Sequence, residues 1–257
     1  MARLISFHSF RGGTGKSNIT ANVATAVAQA GYRVGIVDTD IQSPGIHTIF
    51  RLDEGQIHRT LNDYLWGRCA AEETAYDVSR RLGLQRGRLF LVPSSMDMWD
   101  ISRVLHEGYD ARQLRDGFKT LIRTLDLDYL LIDTHPGLNE ETLLSIAISH
   151  ILVVILRPDA QDYQGTSVTL EVARKLSVPR IYLVLNKVLP DLDAEALRQA
   201  VEERYRTPIG AILPLCEELI RLGSEGVFLL QQPNHPFSQR IRELAETILG
   251  PAESPQP

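Results

Sequence analysis

Seven stretches of strand length are apolar at nearly every position: LISFHS (4–9), VGIVD (34–38), LFLVPS (89–94), YLLID (129–133), ILVVIL (151–156), IYLVLN (181–186) and IGAILP (209–214). Runs that are continuous rather than alternating belong to strands buried on both faces. Between them lie segments with helical spacing. KSNITANVATAVAQAG opens on a hydroxyl residue and stops at a glycine, and NEETLLSIAIS opens on an N-cap asparagine followed by two acids. DAEALRQAVEERY and SQRIRELAETILG follow the same pattern. Strands that alternate with helices predict an α/β fold, a mostly parallel sheet with helices on both faces. The region 42–88 is the least regular and predicts loops and short helices inserted between two strands. No internal repeat is found. A single domain is expected over residues 1–250, with a proline-rich polar tail at 251–257 that should fray.

A chain of 257 residues buries a full core as one α/β domain, and 44% hydrophobic with 23% charged residues is ordinary globular composition. The net charge of -5 gives no global attraction to nucleic acid or to an anionic membrane. The two cysteines, Cys69 and Cys216, are far apart and outside any CxxC spacing, which argues against structural zinc and against a disulfide framework. They read as reduced core thiols. The first residues lack the long apolar run of a signal peptide. No stretch approaches the ~20 apolar residues of a membrane span. A cytoplasmic protein is expected.

The chemistry concentrates in FRGGTGKSN (10–18), between the first strand and the first helix. Gly12, Gly13 and Gly15 let a backbone turn tightly enough to aim its N–H groups at phosphate oxygens. The helix that follows contributes the positive end of its dipole. In such a loop Lys16 reaches the β- and γ-phosphates and Ser17 holds Mg²⁺. Phe10 stands where the usual GxxxxGK[ST] pattern has its first glycine, but the later residues make the cradle. The competing reading is a glycine-rich turn without a ligand; the agreement of strand, loop, GKS and helix weighs against it. Asp133 ends a buried strand in LLIDTHPG and supplies the acid that such a metal site needs. Asp38 and Asp40 end another strand in VGIVDTD, two residues apart and on one side if the strand continues. Beside phosphates, one acid tunes the metal shell and the other orients an attacking water. For a single acid a turn or helix-cap role is the alternative.

Together these segments resemble the ParA/MinD family of deviant Walker A P-loop ATPases. RGGTGKS, IVDTD and LLIDTHPG stand in that family's order, and the likeness continues through LVLNKV and ILPLCEELIRLGSEG. The resemblance implies a P-loop NTPase domain that binds ATP and Mg²⁺, hydrolyses ATP slowly and forms a homodimer in the ATP state. It implies phosphate contacts from Arg11, Gly12, Gly13, Thr14, Gly15, Lys16, Ser17 and Asn18. Ser17 would touch Mg²⁺ directly, Asp38 and Asp133 mostly through water, with Asp40 beside the metal positioning the hydrolytic water. Asn186 would read the adenine edge and Pro214 would pack on the base. The family's loop carries a lysine that crosses to the partner's phosphates; here Arg11 takes its place, keeps the charge and can grip two oxygens. Pairing of Arg11 with a nearby acid is the alternative.

The resemblance further implies a protein activator or cargo adaptor, with a role in placing a chromosome, plasmid, division or organelle assembly. Nonspecific DNA is the family's commonest matrix but gains no support from the net charge. The last helical segment has as many acids as arginines, so it reads as a packing helix and direct membrane binding is not expected. The alternative function is a metabolic or maturation ATPase that couples ATP to ligation or to cofactor or metal insertion. His135, His150 and the other histidines have no ligand spacing and are expected in turns or on the surface. Asp159, Asp162 and Glu171 are expected on the helix after ILVVIL.

Overall fold

The computed structural model describes residues 2–250; the tail assigned to 251–257 lies outside them. All seven expected strands form, together with one more: β1 Arg3–His8, β2 Arg33–Asp38, β3 Tyr76–Asp77, β4 Arg88–Val92, β5 Tyr129–Asp133, β6 Ile151–Leu156, β7 Arg180–Val188 and β8 Ile209–Pro214. They make one sheet in the order β3-β4-β2-β5-β1-β6-β7-β8. Every pairing is parallel except β3 with β4. The unforeseen β3 is a two-residue antiparallel edge.

The helices are α1 Lys16–Gln29, α2 Ile46–Ile49, α3 Leu61–Leu65, α4 Met98–Glu107, α5 Ala111–Thr124, α6 Glu140–Ala147, α7 Ala160–Lys175, α8 Ala194–Tyr205, α9 Glu217–Leu222, α10 Phe228–Gln231 and α11 Pro236–Leu249. The 42–88 region holds α2, α3, two 3-10 turns and β3, as loops and short helices would. Asn139, Asp159 and Asp193 cap α6, α7 and α8 by accepting backbone N–H groups of the first turn.

The apolar runs divide by parity. Ile5, Phe7, Ile36, Leu131, Val153 and Ile155 face a core built with α1 and α11. Leu130 and Ile132 pack with α5 on the other face, and Leu152, Val154 and Leu156 with α7 and α8. A strand covered on both sides needs no polar alternation, which is why these segments read as unbroken apolar runs. Phe237, Ile241, Leu244 and Ile248 of α11 are fully buried, so this is the packing helix its composition suggests.

Two consequences of this order position the site. β1 lies between β5 and β6, so the chain leaves β1 in one direction and later returns to its other side. That reversal opens a crevice at the carboxyl ends of the strands, where open α/β sheets place their ligands. The register also sets Asp38 of β2 directly beside Asp133 of β5.

Candidate functional site

The loop from Ser9 to Gly15 joins β1 to α1 at that crevice. Gly13 and Gly15 have φ of 75° and 92°, left-handed values that disfavour a side chain. A Cβ on Gly15 would also lie 2.5 Å from Asn186 Nδ2. That amide donates to the carbonyl of Thr14 at 2.7 Å, and Lys187 Nζ donates to the carbonyl of Gly13 at 2.8 Å. β7 thus ties down the loop's carbonyls and leaves its N–H groups for a ligand. α1 begins at Gly15 with no side-chain cap and no acid in its first turn, so its positive end is uncompensated.

The rest of α1 is almost wholly buried and carries polar residues that bond locally. Thr25 Oγ1 donates to the Ala21 carbonyl, and Asn22 bridges the Asn18 carbonyl and the Leu229 N–H. Thr20 Oγ1 lies 3.0 Å from the Lys16 carbonyl and 3.1 Å from Asp133 Oδ1, and its one proton can be given to either.

Lys16 Nζ is 2.8 Å from Asp133 Oδ1 and 4.0 Å from Asp40 Oδ2. Both Lys16 and Asp133 are buried. The neighbouring Asp38 accepts the Asp40 N–H at 3.0 Å and the Gly45 N–H at 3.2 Å. Burial first, and then the adjacent Asp133 charge, raise its pKa to about 8, against the pull of Lys16. Asp38 and Asp133 thus stand side by side and buried with a single ammonium, which bonds Asp133, to compensate them. Asp133 Oδ2 and Thr14 Oγ1 are buried without a hydrogen-bond partner among the described residues. Such orphaned atoms are what a cation with its water shell, or a phosphate, would satisfy. The residues therefore fit a magnesium–nucleotide pair.

A cleft of about 420 Å³ is lined by Gly12, Gly13, Gly15, Lys16, Ser17 and Asp40, among others, with Thr14, Asn18 and Asp38 also on its wall. A second, smaller pocket of about 190 Å³ shares Gly15, Asn18 and Ser224 with it and adds Asn186 and Pro214. A larger cavity of about 800 Å³ lies at the amino ends of β1 and β5, lined by Arg3 and Tyr129, and contains none of these residues. The glycine loop, Lys16 and the acids gather at the crevice and not at that cavity.

Arg11 is exposed and lies 3.9 Å from Asp159 and 3.8 Å from Asp162. Asp162 already makes a two-pronged bond to Arg157, at 2.9 and 3.0 Å, so its hold on Arg11 is weak. Phe10 lies against α7: a Cβ added to Gly165 would meet its ring at 2.1 Å. The missing first glycine is therefore accommodated by a glycine elsewhere.

Several expectations are corrected. His8 is fully buried beside the site, where burial, Lys16 and His135 lower its pKa to about 3. His47 is buried as well, whereas His150 sits half-buried at a bend, as expected, with its Nδ1 accepting the Leu4 N–H. His135 is neither a surface nor a plain turn residue: its Nδ1 is 2.6 Å from Asp40 Oδ1. Cys216 is buried, whereas Cys69 is only half-buried; both are free. Thr20, Ser43, Gly45 and Ser224 join the site without having been singled out. Its place two residues after Asp133 in DTHPG is the one sequence signal for His135.

A family model described as the CobQ/CobB/MinD/ParA nucleotide binding domain matches residues 5–230. The chain belongs to this family. An uncharacterized ATP-binding protein of Methanocaldococcus jannaschii is 25% identical over 251 residues, covering 97% of this chain and 89% of that protein. An iron-sulfur cluster carrier protein of Methanococcus maripaludis is 28% identical over 196 residues, covering 74% and 62%. The septum site-determining protein MinD of Pyrococcus horikoshii OT3, solved in complex with Mg-ADP, superposes with a TM-score of 0.80 at 24% identity, covering 96% of each chain. The chain thus has the MinD/ParA P-loop fold. No helix among the described residues is long and apolar enough to cross a membrane.

Proposed function

We propose that the chain is an ATP-dependent switch: it binds ATP with Mg²⁺ at the phosphate loop, dimerises in that state and hydrolyses ATP slowly to release the partner. The observation that carries this reading is the meeting of Lys16, Asp133, Asp38 and Asp40 under a glycine loop that opens a helix. In this reading the loop N–H groups and Lys16 hold the phosphates, and Ser17 binds Mg²⁺ with Asp38, Asp40 and Asp133 around its water shell. The metal supplies charge neutralisation at the phosphates when bound. Asp40 orients the attacking water. Asn186 and Pro214 take the base in the smaller pocket. Arg11, exposed at the rim and loosely held, is free to reach a partner's nucleotide. The use of the switch is to position a cellular cargo through a protein activator or adaptor, as the name of the septum site-determining neighbour suggests.

Light scattering tests the reading. Asp40→Ala with ATP and Mg²⁺ should double in mass relative to ADP, and Arg11→Ala on that background should not. A mass indifferent to nucleotide would remove the dimer mechanism. A maturation ATPase is the second reading, favoured by the relative named an iron-sulfur cluster carrier. Turnover stimulated by a small substrate or a metal cargo, without any change of mass, would place it first.

A further inference from the structure

The contact between His135 and Asp40 reaches beyond the loop, the metal acids and the base pocket. The Asp40 carboxylate has two suitors: Oδ1 is 2.6 Å from His135 Nδ1, and Oδ2 is 4.0 Å from Lys16 Nζ. A carboxylate oxygen accepts, so the donor in this contact is the imidazole Nδ1–H. His135 is itself held firmly. Its carbonyl accepts Thr142 Oγ1 at 3.2 Å, and the Thr142 N–H donates to Asn139 Oδ1 at 2.8 Å, which pins the β5–α6 loop to the start of α6. Pro136 follows and restricts the His135 backbone to extended conformations. The next residue, Gly137, donates its N–H to the Ser9 carbonyl at 3.2 Å, joining this loop to the phosphate loop.

From this geometry we infer that His135 is a positioning residue for Asp40. It holds one carboxylate oxygen away from Lys16 and fixes the direction of the other. Without it, the carboxylate is free to turn toward the ammonium 4.0 Å away, and the water-orienting oxygen loses its direction while Lys16 stays on Asp133. The inference rests on the reading of Asp40 given above and assigns His135 to the turnover step, not to nucleotide affinity.

The test is steady-state ATP hydrolysis with Mg²⁺, paired with equilibrium binding of a fluorescent ATP analogue, on the full chain. His135→Ala should lower kcat by about 10- to 100-fold while the dissociation constant stays within about twofold. His135→Asn, whose amide N–H can replace Nδ1–H, should recover most of the rate. On an Asp40→Ala background His135→Ala should change nothing further. Wild-type kcat in His135→Ala, or His135→Ala and Asp40→Ala losses that multiply, would overturn the positioning role and leave the nucleotide site standing. A wild-type chain that neither binds the analogue nor turns over ATP would overturn the site and this role together. A merely structural His135 would weaken binding and rate alike, with no rescue by asparagine.

Discussion

Lys16→Met offers the sharpest view of how the site is held together before any ligand arrives. Methionine keeps the unbranched stem and its packing but removes the ammonium. Asp133 is 1% exposed and then retains a single partner, the Thr20 hydroxyl at 3.1 Å, with Oδ2 already unpaired. Asp38, its neighbour in the sheet, loses the cation that draws its pKa down and is pushed up further. Removing one partner of a buried ion pair costs about 3–5 kcal/mol, because the other charge stays behind without compensation. For a chain of this size each kcal/mol lowers Tm by roughly 2–4 °C, so the apo variant should melt about 6–20 °C below the wild type. Calorimetry in nucleotide-free, phosphate-free buffer measures it. Lys16→Met combined with Asp133→Asn should regain most of the loss, since the stranded carboxylate is gone. A single variant that melts within about 2 °C of wild type would refute the argument that Lys16 neutralises a buried acid pair.

The remaining predictions address the neighbours of that pair. His8 is buried neutral, with its pKa lowered to about 3. Between that value and about 6.5 the unfolded chain binds a proton that the folded chain does not, so stability is present above about pH 6.5 and lost as pH falls, by up to ~1.4 kcal/mol per unit; His8→Asn should remove this slope in pH-dependent melts, and an unchanged slope would contradict it. Gly15→Ala places a side chain at φ 92° and 2.5 Å from Asn186 Nδ2, which should cost about 1–3 kcal/mol and weaken Mg-ATP binding at least about tenfold by titration. Gly165→Ala should destabilise by about 1–3 kcal/mol through collision with the Phe10 ring, and Phe10→Ala on that background should relieve it; an additive pair of melting shifts would sink the contact.

How much of this was legible in the sequence follows from the range of each interaction. The strands were, because burial on both faces leaves unbroken apolar runs, as in ILVVIL. The edge strand β3 was not, since Tyr76 and Asp77 are too few to show a period and exist as a strand only through Leu91 and Phe90. The phosphate loop was legible because the glycines, lysine and helix start are contiguous. Asp38 and Asp133 could be named as strand-end acids, but their side-by-side register is a property of the assembled sheet. His135 stood in plain view two residues after Asp133. Its partner, however, is 95 positions away, and no local pattern carries such a contact. The departure at Phe10 is visible in the sequence, but its packing against Gly165 of α7 is a contact only the folded chain makes.

Isothermal titration of the wild-type chain with ATP, with and without Mg²⁺, beside Lys16→Met held below its melting point, probes the nucleotide site itself. A phosphate site built on Lys16 should give one saturable site per chain that tightens with Mg²⁺ and is lost or sharply weakened without Lys16. No saturable binding to the wild type, or undiminished binding to Lys16→Met, would contradict it.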